Sequence, residues 1–198
     1  PAEKLGTNPE GEKVLFFGHS ANEMGPEVAL KYIRDIDPDH ILFIEPGTKD
    51  FFPKMIQIRE VLLKKGFNIH FPCPTHEACP LQGSTTDWCH QFIQVKQDSE
   101  VERLSQIAKK DRRNLPLIVH AFSKTFKTAN PSSRVIRVLP ETKFSYEWEA
   151  CELNELKHYQ IMKRGLSKGE QNLLSETLAG AGLEVEVEKE LEKSKRVK

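Results

Sequence analysis

Net charge is missing from this chain: 29 lysines and arginines meet 29 aspartates and glutamates, a balance that gives no overall reason to expect a nucleic-acid partner. Long apolar runs are missing too. With 38% hydrophobic residues, no stretch approaches the length that crosses a bilayer, so no membrane partner is expected. No secretory signal, internal repeat or low-complexity tract is evident. G-x-G, P-loop, nucleophile-elbow and H-E-x-x-H motifs are all absent, which excludes the usual signatures of nucleotide, serine-hydrolase and metalloprotease sites from this stretch. Cysteine is scarce, at four residues, and 198 residues suffice for one well-buried domain, with or without a small appendage, without covalent staples.

The few cysteines are informative by placement. Cys73, Cys79 and Cys89 share one loop-like stretch and Cys151 stands far downstream, in the pattern C-x5-C-x9-C-x61-C. Thiolate is the ligand that zinc and iron-sulfur clusters favour, and four complete either site. Proline follows two of them, in Cys73-Pro74 and Cys79-Pro80, stiffening the loop and removing backbone donors. Cys-Pro also ends one common iron-sulfur ligand run. Two other readings stand beside the metal site. Two disulfides are possible on count, but a chain with no secretory signal points to a reducing compartment. Unrelated buried thiols are the other, and this suits Cys151, which alternates within an apparent strand, better than the three in the Pro-rich loop. The spacing is not the paired C-x2-C of a zinc ribbon, and His76 and His90 are the histidines nearby.

Periodicity predicts an α/β order through the first two thirds. A strand over 14–17 leads to a helix over 22–36 with Met24, Val28, Tyr32, Ile33 and Ile36 on one side, Pro26 in its first turn and Asp37-Pro38 at its end. A strand over 41–45 runs through the turn Pro46-Gly47-Thr48 into a helix over about 51–65, carrying Phe52, Met55, Ile58 and Leu62 and stopped by Gly66. A third strand, 67–71, enters the cysteine loop, 72–90. Strand-helix-strand repetition implies crossovers and a parallel sheet. Further strands are predicted near 92–95 and 115–120, with a helix over 99–110 between them. Pro131-Ser132-Ser133 marks a boundary between a first domain, 1–130, and a small mostly β appendage, 131–198. Antiparallel strands at 134–139, 144–153 and 156–162 and a helix over 168–179 are expected there, and residues 184–198, rich in charge, are expected to fray.

Two features bear on ligands. Open α/β sheets bind at the carboxyl ends of their strands, which singles out Ser20 and Asn22 after the first strand and Glu45 after the second as candidate cofactor-binding residues. Asn22 serves equally well as a helix N-cap, and Pro-Gly is an ordinary turn. Charge is also unevenly spread. Lys109, Lys110, Arg112, Arg113, Lys124, Lys127, Arg134 and Arg137 face only Asp111 between positions 109 and 137, so this segment carries +7 and the remainder −7. Such a run suits a phosphate backbone, although a solvated helix end gives the same composition.

Several words recur in one order: Phe43-Ile44-Glu45-Pro46-Gly47-Thr48, Pro72-Cys73-Pro74, His76 with Cys79-Pro80-Leu81, and Asp87-Trp88-Cys89-His90. With Asn22-Glu23-Met24 they resemble the methyltransferase-like ribosomal small-subunit assembly family, which includes mitochondrial small-subunit assembly factors and bacterial relatives. The likeness spans roughly residues 14 to 92, with a weaker stretch around 134–153. It implies the C-terminal part of a Rossmann-like class I methyltransferase fold, and a 4Fe-4S cluster on Cys73, Cys79, Cys89 and Cys151, with zinc as substitute or alternative. The implied partners are the small ribosomal subunit and its rRNA, in the mitochondrial matrix of a eukaryote or the cytoplasm of a bacterium.

The chain departs from that pattern. Its first strand matches the middle of the family's sheet, so the glycine-rich S-adenosylmethionine loop is expected in a missing N-terminal half of the same protein, and this chain alone is expected to be inactive. Gln82–Thr86 lengthens the gap between Cys79 and Cys89, and the basic pattern after His90 differs. Three functions follow: an RNA-binding assembly factor with a structural cluster, an active methyltransferase, or a zinc-stabilised RNA-binding module without activity.

Overall fold

The computed structural model describes residues 11–109, 114–125, 130–191 and 194–197. It is a mixed α/β structure of two sheets, rich in strands and with few helices. In the first sheet β1 (Val14–Gly18) lies parallel to β2 (His40–Pro46), registering Val14 with His40 and Gly18 with Ile44. Between them the predicted single helix is two, α1 (Ala21–Met24) and α2 (Pro26–Ile36). Gly25 has φ +82 and Pro26 has no N–H to donate, so the first turn cannot run on into the second. The apolar side also differs from expectation. Ala29 and Ile33 are buried, whereas Val28, Tyr32 and Ile36 are exposed, because the helix presents to the sheet the face one residue round.

The helix α3 (Phe52–Lys64) follows β2, then β3 (Asn68–Phe71). As crossovers require, β3 runs the same way as β1 and β2, but it is not their neighbour. The reversed strand β5 (Asn114–Ser123) lies between, antiparallel to β2 on one edge and to β3 on the other. The sheet is therefore mixed where a parallel one was expected: hydrophobic patterning sets which residues a strand buries, not its direction. β4 (Gln91–Gln94) pairs with the same outer edge of β5 further along, and α4 (Ser99–Ile107) connects the two. Phe43 sits at the centre of this core, stacked on Phe17 at 4.7 Å and edge-on to Phe122 at 6.2 Å.

The second sheet has the order β10-β11-β8-β7-β6-β9. β6 (Ser133–Val138), β7 (Ser145–Glu152) and β8 (Glu155–Met162) form the antiparallel meander that alternation predicts. The helix α5 (Lys168–Ser175) starts on a capping box of Ser167 and Glu170 but stops short of Ala179. Residues 180 and 181 instead exchange backbone hydrogen bonds with Val135, leading into β9 (Gly182–Leu183). Among the described residues of the last stretch, strands form where fraying was expected. β10 (Val187–Glu190) and β11 (Lys195–Val197) form a hairpin, β11 adds parallel to β8, and Val197 is buried in the cluster of Val135, Trp148 and Tyr159. One apolar residue with a core to enter outweighs the solubility of its charged neighbours.

Candidate metal centre

The cysteine loop leaves and rejoins one strand edge. β3 pairs with residues 121–123 of β5 and β4 with residues 114–117, so the chain departs at Phe71 and returns at Gln91 beside the same strand. In the gap the N–H of Val119 would lack a ladder partner, and the Gln91 side chain accepts it at 2.8 Å. Prolines and tight turns leave the loop with surplus carbonyls, and side chains from outside it supply the donors. Arg134 Nε donates to Pro72 O at 2.7 Å and Asn130 to Cys73 O at 3.1 Å. The terminal nitrogen of Arg59 reaches both Thr75 O at 3.1 Å and Glu77 O at 2.7 Å. The far end of the loop is pinned by Trp88, whose indole N–H donates to Gly47 O at 3.0 Å.

The second sheet meets this loop with one face. Strand side chains alternate, so on β7 Tyr146, Trp148 and Ala150 enter the second core while Cys151 points the other way, into the first. On β6 Val135 goes with the second core, and Arg134 and Ile136 face the loop. Arg137, set by an irregularity between Val135 and Arg137, bridges Asp87 in the loop at 2.6 Å and Glu149 on β7 at 3.1 Å.

At that junction Cys73, Cys79, Cys89 and Cys151 line one cavity of about 20 Å³, together with Leu81, His120 and Arg134. All four are free thiols. They are close enough that ionisation of any one opposes that of the others: Cys89 feels Cys73, Cys79 and Cys151, and Cys79 and Cys151 each feel Cys73. Burial is the larger effect, pushing Cys79 up to about 11, Cys151 up to about 12 and Cys89 well above the usual thiol range. Cys73 is also raised by burial, but Arg59 and Arg134 pull it back. With burial outweighing the nearby arginines, these groups stay protonated and unreactive at neutral pH. As they stand, no group of three or more His, Cys, Asp or Glu side chains among the described residues is drawn together to hold a metal ion.

The other singled-out residues fall elsewhere. Glu45 is fully buried, and its carboxylate accepts the backbone N–H groups of Ser20 at 3.1 Å, Ala21 at 2.9 Å and Asn22 at 3.1 Å. Glu45 thus caps α1 from the neighbouring strand; Asn22 lies inside the helix and Ser20 makes no side-chain cap. Of the basic run, Lys110, Arg112, Arg113 and Lys127 lie outside the described residues. Lys109 follows α4 with φ +52, and Lys124 pairs with Asp37 at 2.5 Å and lies over the Phe67 ring. Arg134 is buried at the cysteine cavity and Arg137 is occupied by two carboxylates, so neither lies on an open basic surface.

Arg59, Gln91, His120 and Asn130 escape sequence reasoning. A signal existed for Arg59, a charge within the buried stripe Phe52, Met55, Ile56, Ile58 and Leu62 of α3, where a cation requires a partner. Burial drives His120 down to about 3, so it is neutral, and among the described residues its Nδ1 has no hydrogen-bond partner.

No helix among the described residues is long and apolar enough to cross a membrane. Compared with known proteins, residues 23–169 match the model of a family described as mitochondrial small ribosomal subunit Rsm22. No individual curated protein matches the chain.

Proposed function

The chain belongs to the Rsm22 family, and from that premise we propose that it serves the small ribosomal subunit as a methyltransferase-like, rRNA-binding assembly factor whose two sheets are joined by a metal centre on Cys73, Cys79, Cys89 and Cys151. The observation that carries this reading is the meeting of four thiols from two sheets at one cavity, across 61 intervening residues on the longer side. Four unrelated buried cysteines have no reason to converge, whereas four ligands do. The donor set is all sulfur and suits an iron-sulfur cluster or zinc.

A 4Fe-4S cluster is the first choice, on the family likeness and the Cys-Pro units. It also suits thiols that are not gathered about a single point, since zinc draws its sulfurs to about 2.3 Å from one centre. Zinc is the second, favoured by the small cavity of about 20 Å³, into which the thiols would draw together round one ion. In either case the role is structural: Phe52, Ile56, Leu81 and Ile136 line the cavity with the thiols and make its wall largely apolar. A cluster supplies charge and four bonds that tie loop to appendage. The chain's own residues orient the thiols, exclude water and supply hydrogen bonds, as the Gln91 amide does to Cys89 Sγ at 3.6 Å.

The Rossmann-like reading, with a first domain over 1–130 and an appendage over 131–198, is supported by the codirectional β1, β2 and β3 with helices on their crossovers. RNA contact is assigned to Lys109, exposed after α4, and to Lys110, Arg112, Arg113 and Lys127, which lie outside the described residues, rather than to the buried Arg134 and the doubly paired Arg137. The compartment that fits the family description is the mitochondrial matrix in a eukaryote.

Anaerobic purification tests the centre. The expected result is brown protein with iron and acid-labile sulfide, and loss of both in Cys151→Ser together with faster hydrogen exchange over 134–162. Stoichiometric zinc without iron promotes the zinc module, and metal content unaffected by Cys151→Ser removes Cys151 from the site. RNA binding should weaken with salt and on joint neutralisation of Lys109, Lys110, Arg112 and Arg113.

A further inference from the structure

Two guanidinium groups are buried beside the cysteines, Arg134 over the Phe71 ring and Arg59 against Glu60, with only that one carboxylate paired to them among the described residues. Arg134 is 8% exposed; its Nε and Nη1 donate only to the backbone carbonyls of Pro72, at 2.7 Å, and Gly180, at 3.0 Å. Among the described residues it forms no ion pair with a carboxylate, and it lines the cysteine cavity. Arg59 is 1% exposed, binds the loop carbonyls of Thr75 and Glu77, and pairs only with Glu60, whose side chain is about a third exposed. A buried cation held by neutral carbonyls is costly unless an anion shares its surroundings. Apart from Glu60, the groups nearby that can become anionic are the thiols: Arg134 lines the cavity with all four of them, and Arg59 holds the loop carbonyls between Cys73 and Cys79.

We propose that Arg59 and Arg134 are charge-compensating residues for a dianionic four-thiolate centre, holding it in the apolar junction from the α3 side and the β6 side respectively. This rests on the metal reading of the four cysteines. Loading releases the four S–H protons to solvent as four metal–sulfur bonds form. With zinc the four thiolates and one divalent ion sum to a dianion. With an oxidised 4Fe-4S core, itself dipositive, the sum is the same, so two guanidiniums neutralise either product. The assignment explains why three of the loop's surplus carbonyls, those of Pro72, Thr75 and Glu77, are met by arginines: the same side chains shape the loop and supply the charge. It also explains why Arg134, within a basic run, is turned inward.

The test uses the full chain with Arg59→Gln, Arg134→Gln and the corresponding lysine variants. Zinc affinity is measured by competition with a chromophoric chelator, and iron and sulfide uptake by anaerobic reconstitution. Each glutamine variant should bind zinc about tenfold more weakly or worse, while lysine, which keeps the charge but not the forked geometry, should recover most of the loss. In the iron-loaded protein the cation favours the more negative reduced state. Its removal should shift the reduction equilibrium about tenfold toward the oxidised form, which is 59 mV lower for a one-electron couple. Circular dichroism of the metal-free variants identifies any that fail to fold, and the lysine pair then carries the comparison. Glutamine variants with wild-type zinc affinity and potential would overturn the arginine assignment while leaving the centre intact. Wild-type protein that takes up neither zinc nor iron and sulfide overturns the metal reading, and the arginine assignment with it.

Discussion

Glu45→Gln separates a structural carboxylate from a ligand-binding one. In the native chain one carboxylate oxygen accepts from Ser20 and Ala21 and the other from Asn22, at 2.9 to 3.1 Å, in a fully buried position. Glutamine has nearly the same shape, but only one of its two terminal atoms accepts. Its oxygen can retain Ser20 and Ala21, now without charge assistance, at a loss of about 1 kcal/mol each. Its NH2 group then faces the Asn22 N–H donor to donor, leaving both buried and unpaired at a cost of roughly 1–3 kcal/mol. The total is about 3–5 kcal/mol, or a fall of roughly 10 °C in melting temperature for a chain of this size. Urea titration read by circular dichroism measures it, and hydrogen exchange should place the loosening at residues 20–24. A change within about 0.5 kcal/mol, the range of surface substitutions, would refute the capping argument and return Glu45 to the ligand-facing residues.

Gly47→Ala should destabilise by about 2–3 kcal/mol or more, because a Cβ there lies 2.5 Å from the Pro116 carbonyl carbon, which is backbone and cannot swing aside; a thermal melt unchanged from wild type would contradict it. Val197→Ala should cost about 2 kcal/mol by chemical denaturation, as it empties part of the second core, whereas a frayed terminus would register no loss. His120 is held neutral, its pKa lowered from the usual 6.5 to about 3 by burial. A lowered value means that its contribution to stability is complete above pH 6.5 and is lost as pH falls toward 3, by up to about 5 kcal/mol. His120→Gln should therefore flatten stability against pH across that window, and an equally steep acid profile in the variant would show that other groups govern it.

The cysteine pattern, the crossover-linked strands, the meander after Pro131 and the motif series from Phe43 to His90 are all legible in the sequence, because they depend on local spacing, periodicity and residue chemistry. Helix α3 is legible for the same reason: its apolar positions recur with the helical period and Gly66 stops it. Strand direction and adjacency are not. That β5 runs backwards between β2 and β3, and so gives the cysteine loop the edge it leaves from, depends on pairings between residues fifty or more positions apart. The roles of Glu45 and Arg134 are likewise tertiary. As sequence they are an acid after a strand and a base in a basic run; a buried helix terminus needing three acceptors and a cavity lined by four thiols decide what each charge faces. The terminal strand went the same way, since whether Val197 finds a core depends on Trp148 and Tyr159, far from it along the chain. Local patterning determines which groups can bury or bond, and only the packed structure determines which partners they meet.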